Sequence, residues 1–278
     1  IIYNKSHNEV SWRQRAARRK LVRGFDEYTQ QPIASCSKWL SAALVMSFVD
    51  EGRLKVEDTI GKFLPVMTAN GKGHITIGHC LANLTGIKQD NETVRMREYS
   101  SMHEAMEAIA KMQMEGKPGK TFHYGNAGLQ IAAAVIEKIS GKKFESLFQE
   151  RIARPCGMKH TTFGNGNVPL AAGGARGTAM DYMHFLQMIL NKGVYDGKRV
   201  LNEKSIALMQ VNYTKDARIV YTPAAGTGWG YGFGEWVMSE SAVSSPGLFG
   251  SFPWVDYGKG YCGMLFTVNL RNRERAEL

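Results

Sequence analysis

The apolar positions of this chain change their spacing twice, and those changes predict its architecture. Residues 1–4 and 20–25 read as two short strands. The stretch Pro32-Ile33-Ala34-Ser35-Cys36-Ser37-Lys38 then leads into a helix in which Trp39, Leu40, Ala42, Ala43, Leu44, Val45, Met46, Phe48 and Val49 leave almost no polar face. A helix that is apolar all round belongs in the centre of a fold, and Gly52 is placed to end it. From residue 56 to about 163 the apolar spacing is three to four, with helices expected over 75–84, 102–114, 127–139 and 144–152. Thr178 and Asp181 form a capping-box-like start to a further helix that Gly193 closes, and Asn202 is placed to cap a short one through Met209.

In the last fifty residues the spacing becomes two. The run 229–234 alternates, and segments 248–256 and 261–270 flank the turn Tyr257-Gly258-Lys259-Gly260, the pattern of an antiparallel hairpin. Pro253 within the first of these strands predicts an edge or a bulge there. Strands at both ends around a helical middle imply an α+β fold of the α/β-sandwich type. One antiparallel sheet is built from the N- and C-terminal segments and flanked by helices, and an all-helical lobe is inserted into it. The expectation is a single catalytic domain over 1–278, with an α/β lobe at about 1–50 and 175–278 and a helical lobe at about 51–174, since no linker or repeat separates independent units.

Composition narrows the function classes. With 278 residues, 44% of them hydrophobic and 22% charged, the chain can bury a sizeable core. The longest greasy run, 40–49, is broken by Ser41 and Ser47, so no membrane span is expected. The net charge of +10 suggests nucleic acid until its distribution is read. Six cations fall between Arg13 and Arg23 with no aromatic interleaving and no binding motif, which favours a solvated segment and no nucleic-acid partner. The four cysteines, Cys36, Cys80, Cys156 and Cys262, show no C-x-x-C pair, and the seven histidines show no ligand spacing, so no metal and no cofactor are expected. No G-x-S-x-G is present, which removes the α/β-hydrolase arrangement.

The candidate chemistry lies at the start of the apolar helix. A serine hydroxyl needs a base to take its proton as it attacks, and Ser35 and Lys38, three apart, share one helical face. Lysine serves as that base only if burial depresses its pKa, and residues 39–45 supply an apolar flank. Cys36, about 100° further round a helix, is expected to point to the core rather than act as the nucleophile. S-x-x-K is common by chance. Other segments carry more weight: Ile75-Thr76-Ile77-Gly78-His79 ending in Leu84-Thr85-Gly86, Tyr124-Gly125-Asn126-Ala127-Gly128 opening a helix, F-E-S-L-F-Q-E-R-I-A-R-P-C-G-M over 144–158, Gly173-Gly174, Gly230-Tyr231-Gly232-Phe233-Gly234 and Phe249-Gly250-Ser251.

Together, over about residues 20–270, these resemble the serine β-lactamase and penicillin-binding-protein superfamily, most closely its class C β-lactamase branch with the related family VIII-type esterases and D-amino-acid peptidases. The resemblance implies an acyl-enzyme on Ser35, a proton relay through Lys38 and Tyr124, an oxyanion hole of the Ser35 and Leu248 backbone N–H groups, and substrate binding by Asn126, Ser245 and Gly247. A tyrosine beside a protonated lysine is expected to have a lowered pKa. Asn126 has two equal readings, as a partner of Lys38 or the substrate amide and as a helix cap.

Two departures matter. Where relatives carry K-T-G or H-x-G this chain reads Ser245-Pro246-Gly247-Leu248, so no cation meets a substrate carboxylate. That favours a carboxylesterase on small uncharged esters over a β-lactamase or a D-amino-acid peptidase or amidase, with a non-catalytic ligand-binding or sensor relative as the rival of another class. The family also usually has further elements outside both ends of this chain. A sheet short of an edge strand leaves two expectations, a trimmed chain or an edge covered by another chain as in a homo-oligomer, and the resemblance implies a periplasmic or secreted setting although no signal peptide is visible. The expected partner is a small acyl substrate.

Overall fold

The computed structural model describes residues 1–13, 25–89, 96 and 98–267. The predicted strand over 20–25 and the basic run between Arg13 and Arg23 lie almost wholly outside the described residues. Along the chain, β1 (Ile2–Asn4) turns into β2 (Glu9–Ser11), and β3 (Gln31–Pro32) leads through a 3₁₀ turn, Ala34–Cys36, into α1 (Ser37–Asp50). The middle of the chain carries α2 (Pro65–Ala69), α3 (Ile77–Leu81), α4 (Met102–Lys111), β4 (Thr121–His123), α5 (Ala127–Ser140) and α6 (Phe144–Phe148), the last continued by a π-helical turn, Gln149–Ala153. After β5 (Arg176–Gly177) come α7 (Ala179–Leu190), the short hairpin β6 (Val194–Tyr195) and β7 (Lys198–Arg199), α8 (Glu203–Met209) and β8 (Arg218–Tyr221). The chain closes on β9 (Gly230–Tyr231), β10 (Trp236–Val237), β11 (Ala242–Ser244), β12 (Phe252–Asp256) and β13 (Tyr261–Leu265).

The principal sheet has seven strands in the order β2-β1-β13-β12-β11-β10-β9, every pair antiparallel, so it joins the two ends of the described chain as their strand patterns predict. Its edge beyond β1 is taken by β2, a strand not foreseen because Glu9-Val10-Ser11 is too short and polar to show an alternation. Helix α7 packs on β12, β13 and β1, and α1 lies beyond it against α5, α6 and α8. From Ser37 to Phe48 every residue of α1 is buried, which is why its sequence shows no polar stripe. Gly52 takes φ +70° just past its end, a left-handed conformation that costs glycine nothing.

Pro253 is not on an edge strand: β12 lies between β11 and β13. The ladder with β11 ends at the Ser244–Trp254 pair, so Pro253 falls one residue beyond it and is paired only on the β13 side, opposite Met264. The helix expected over 75–84 is confined to α3, where Thr76 and His79 complete a reciprocal capping box. Thr178 caps α7 by accepting from the Asp181 N–H, as expected. Asn202 stands at the start of α8, but its side chain makes no cap bond. Instead its N–H donates to the Asp50 carboxylate at 2.7 Å, tying α8 to the end of α1.

Candidate active site

Ser35 is not within an α-helix. It sits in the 3₁₀ turn before α1, and since a 3₁₀ turn nearly eclipses residues three apart, the S-x-x-K spacing still brings serine and lysine together. The turn is strained and over-determined. Ala34 has φ +46°, a left-handed backbone that costs an alanine about 1 kcal/mol. Around it the Ser37 hydroxyl donates to Ala34 O (2.6 Å) and accepts from Ala175 N (3.0 Å), Ile33 N donates to Ala175 O (3.0 Å), and the Tyr182 hydroxyl donates to Cys36 O (2.7 Å). Cys36 is fully buried beside Ser251 O, and burial pushes its thiol pKa up, so it is an inert core residue.

Lys38 lies one turn on, 1% exposed. Its ammonium nitrogen is 3.2 Å from Ser35 Oγ, 3.1 Å from Asn126 Oδ1 and 2.8 Å from Ala172 O. These three oxygens are neutral, and among the described residues no carboxylate comes within ion-pair distance. Desolvation without a counter-charge therefore lowers its pKa to about 7, so a large fraction is neutral and basic near physiological pH. The Gly173–Gly174 segment had been noted in the sequence, but the carbonyl at Ala172 is a main-chain group that no residue type announces.

Tyr124 follows β4, which pairs in parallel with β8, and its N–H donates to Tyr221 O at 3.1 Å. Its ring lies beneath the Lys38 ammonium (4.8 Å to the centroid), stacks on Trp236 (5.1 Å) and meets the edge of Tyr231 (5.8 Å). The phenol lies near enough to the Ser35 side chain to feel it, though no hydrogen bond between them is formed among the described contacts. The expected lowering of its pKa is reversed. Desolvation by burial dominates and pushes the phenol up, with the nearby Ser35 side chain offsetting only part. Tyr124 is thus a neutral hydroxyl that can give and receive a proton, not a phenolate.

The two readings of Asn126 are separated by its contacts: its side chain makes no cap bond to α5 and holds Lys38 instead. The capping falls to Gln89, whose Oε1 accepts from Asn126 N (3.1 Å) and Ala127 N (3.2 Å). Gln89 was missed because it comes from a loop more than thirty positions earlier, with no motif around it.

The segment 245–248 packs directly against the serine turn, since a Cβ on Gly247 would lie 2.4 Å from Ile33 O. Two of its expected roles need correction. Ser245 is 2% exposed and its hydroxyl faces inward, its single proton shared between Gly234 O (3.1 Å) and Ser35 O (3.3 Å), so it braces the serine turn and is turned away from solvent. Gly247 has its N–H committed to Ser251 O (2.8 Å), which leaves close approach as its contribution. Leu248 opens the turn that follows and carries an exposed side chain.

Behind Lys38 lies a group that sequence reasoning passed over. Glu235 is 0% exposed, and neither carboxyl oxygen has a hydrogen-bond partner among the described residues. Its pKa is pushed up by burial, and the Trp39 indole offsets part of this without reaching hydrogen-bond geometry. Gly234 lets this strand connection touch α1, because a Cβ there would lie 2.5 Å from Lys38 O. The visible signal was an acid in the otherwise aromatic and glycine-rich run 229–237. Among the described residues no group of three His, Cys, Asp or Glu is arranged to hold a metal, and no helix is long and apolar enough to cross a membrane.

A family model described as Beta-lactamase matches residues 5–277. A solved structure from Bacteroides dorei DSM 17855, provisionally named a beta-lactamase, superposes with a TM-score of 0.81 at 30% identity, covering 90% of this chain and 81% of that one. A family VIII carboxylesterase shares the fold at TM-score 0.74 and 17% identity, over 88% of this chain and 79% of that one. The D-alanyl-D-alanine-carboxypeptidase/endopeptidase AmpH of Escherichia coli K12 is 22% identical over 78% of this chain and 62% of its own length. Against two other curated relatives the chain spans 28% and 71% of the relative's length.

Proposed function

Since the chain belongs to the beta-lactamase family of serine hydrolases, we propose that it is a carboxylesterase acting on small uncharged esters through an acyl-enzyme on Ser35. The observation that carries the reading is Lys38, buried 3.2 Å from Ser35 Oγ without a counter-ion and with a pKa of about 7. A general base is most effective when its pKa lies near the working pH.

In the proposed cycle neutral Lys38 takes the Ser35 proton as Oγ attacks the ester carbon. The N–H groups of Ser35 and Leu248 receive the developing oxyanion. Tyr124, beside Ser35 and with its ring under the Lys38 ammonium, gives its proton to the departing alkoxide and is reprotonated by that ammonium, so the proton lost by serine leaves with the alcohol. Water then attacks the acyl-enzyme by the same relay in reverse, returning Ser35 and Lys38 to their starting states. Asn126 holds Lys38 throughout.

The ester preference is supported by what faces the site. Ser245 is turned inward, so nothing at the third motif offers charge to a carboxylate. The test is Ser35→Ala assayed against short p-nitrophenyl esters, nitrocefin and D-alanyl amides. Ester hydrolysis and fluorophosphonate labelling are expected to disappear together, and labelling that persists would remove Ser35 from the mechanism. Preferential turnover of nitrocefin or D-alanyl amides by the unaltered protein would retain the nucleophile and overturn the ester reading.

A further inference from the structure

The wall beside Tyr124 is formed by β8, whose four residues Arg218, Ile219, Val220 and Tyr221 are all exposed. Ile219 is 52%, Val220 38% and Tyr221 49% exposed, and as successive strand residues they line both sides of the free β8 edge. This edge is not a loose loop. Arg218 N donates to Lys120 O (2.9 Å), the Arg218 guanidinium donates to Glu115 O (2.8 Å), and Tyr221 O accepts from Tyr124 N (3.1 Å). The Tyr221 ring packs against His123 with centroids 5.5 Å apart, and its phenol lies close enough to Tyr124 to raise that group's pKa. Among the described residues β8 pairs with β4 alone, so its outer edge and apolar side chains stay uncovered.

The chemistry proposed for Tyr124 gives this edge a direction. The departing oxygen of an ester must come within hydrogen-bond reach of Tyr124 to take its proton. The carbonyl oxygen must point the other way, to the backbone of Ser35 and Leu248. Whatever is attached to the departing oxygen therefore runs out past Tyr221 towards Val220 and Ile219, whereas the acyl group does not.

We propose that β8 is the leaving-group subsite and takes an extended apolar alcohol moiety. This rests on the ester-hydrolase reading above. Three strand residues span about 10 Å along that edge, the reach of a medium-length alkyl chain laid against it, and no charged residue lies between Ile219 and Tyr221. Specificity then resides in the alcohol rather than the acid.

The experiment uses two ester series on one preparation, followed by proton release: acetates of ethanol through octanol, and ethyl esters of acetic through octanoic acid. Along the alcohol series kcat/KM is expected to rise roughly twofold per methylene, as for a chain that loses about half its contact with water, and to stay flat along the acid series. In the double variant Ile219→Ser, Val220→Ser the alcohol slope should vanish. A gain that follows the acid instead, or that survives in the double variant, overturns the subsite. Should no ester be turned over, the ester-hydrolase reading fails, and calorimetric binding of 1-octanol still decides the subsite. Binding lost in the double variant supports it, and absent or unchanged binding overturns it.

Discussion

Lys38 at the start of α1 and Glu235, one residue past the Gly234 that packs on Lys38 O, are both buried and, among the described residues, both without an ion partner, yet the protein treats them differently. Three neutral oxygens surround Lys38: as the ammonium it can donate to all three, and as the amine it can donate to Ala172 O and Asn126 Oδ1 while its lone pair accepts from the Ser35 hydroxyl. Glu235 meets no donor or acceptor in hydrogen-bond geometry. The lysine is thus held poised, with its pKa near neutrality and its nitrogen aimed at Ser35. The carboxyl, pushed up by the same desolvation, is only kept neutral. Burial alone shifts a pKa; burial with directional partners turns the shift into a tool.

Replacing Lys38 by Met tests the first half and has the largest expected effect. Loss of the base should lower turnover by about 10² to 10⁴, read from single-turnover acylation. Stability should change in the opposite sense. The folded pKa lies below the unfolded value, so the unfolded chain binds the extra proton between about pH 7 and the usual lysine value near 10. The cost is present in full below about pH 7 and fades as pH rises through that window. The Met variant should gain about 2 kcal/mol at pH 7, once the stranded Ala172 and Asn126 acceptors are offset, and lose that gain towards pH 10. A variant less stable than the parent at pH 7 would mean that Lys38 is a structural prop.

Glu235→Leu tests the second half. An unbonded neutral carboxyl in the core costs about 1–3 kcal/mol, and this one is raised, so the sign runs the other way from Lys38. Stability is intact below the unfolded carboxylate value near 4.3 and declines at about 1.4 kcal/mol per pH unit as pH rises towards the folded pKa. Denaturant unfolding at pH 5 and pH 7 should show the variant ahead at both, by more at pH 7. A margin that stays constant or shrinks over that range would show that the carboxyl is not held neutral by burial.

The same contrast explains what was legible in the sequence. The antiparallel sheet, α1, α5 and α7 were readable because each has a regular apolar spacing or a cap, as in Thr178 over Asp181. Ser35 and Lys38 stood out by their spacing, whereas Tyr124 and Asn126 stood out only through the resemblance of their segment to a family, and Asn126 with two readings open. What a pattern cannot carry is where a side chain turns. Ser245 looked like a substrate contact and braces the serine turn. Tyr124 looked like a depressed phenol and is a raised one, because burial outweighs its neighbours and no spacing shows how deeply a ring is buried. Strands β4 and β8, three and four residues long, are paired across almost a hundred positions and exposed on one member, so neither shows a period of its own.

Asn126→Asp sharpens the comparison by giving Lys38 what neither buried group now has, a charged partner. The amide oxygen already sits 3.1 Å from the ammonium, so the substitution changes charge with little change in shape. A carboxylate at that distance favours the ammonium and should raise the lysine pKa by about 1–3 units. Because the base must be neutral to act, the rise of kcat/KM with pH should move from near 7 to the alkaline side by the same amount. Activity at pH 7 then falls about tenfold or more, and recovers at pH 9 or above. Recovery separates this from simple loss of a contact: Asn126→Ala, which removes the acceptor without adding charge, should lower activity by a smaller factor and leave the midpoint where it is. Were the Asp variant to lose activity equally at every pH, Asn126 would be acting on the substrate and not on the proton of Lys38.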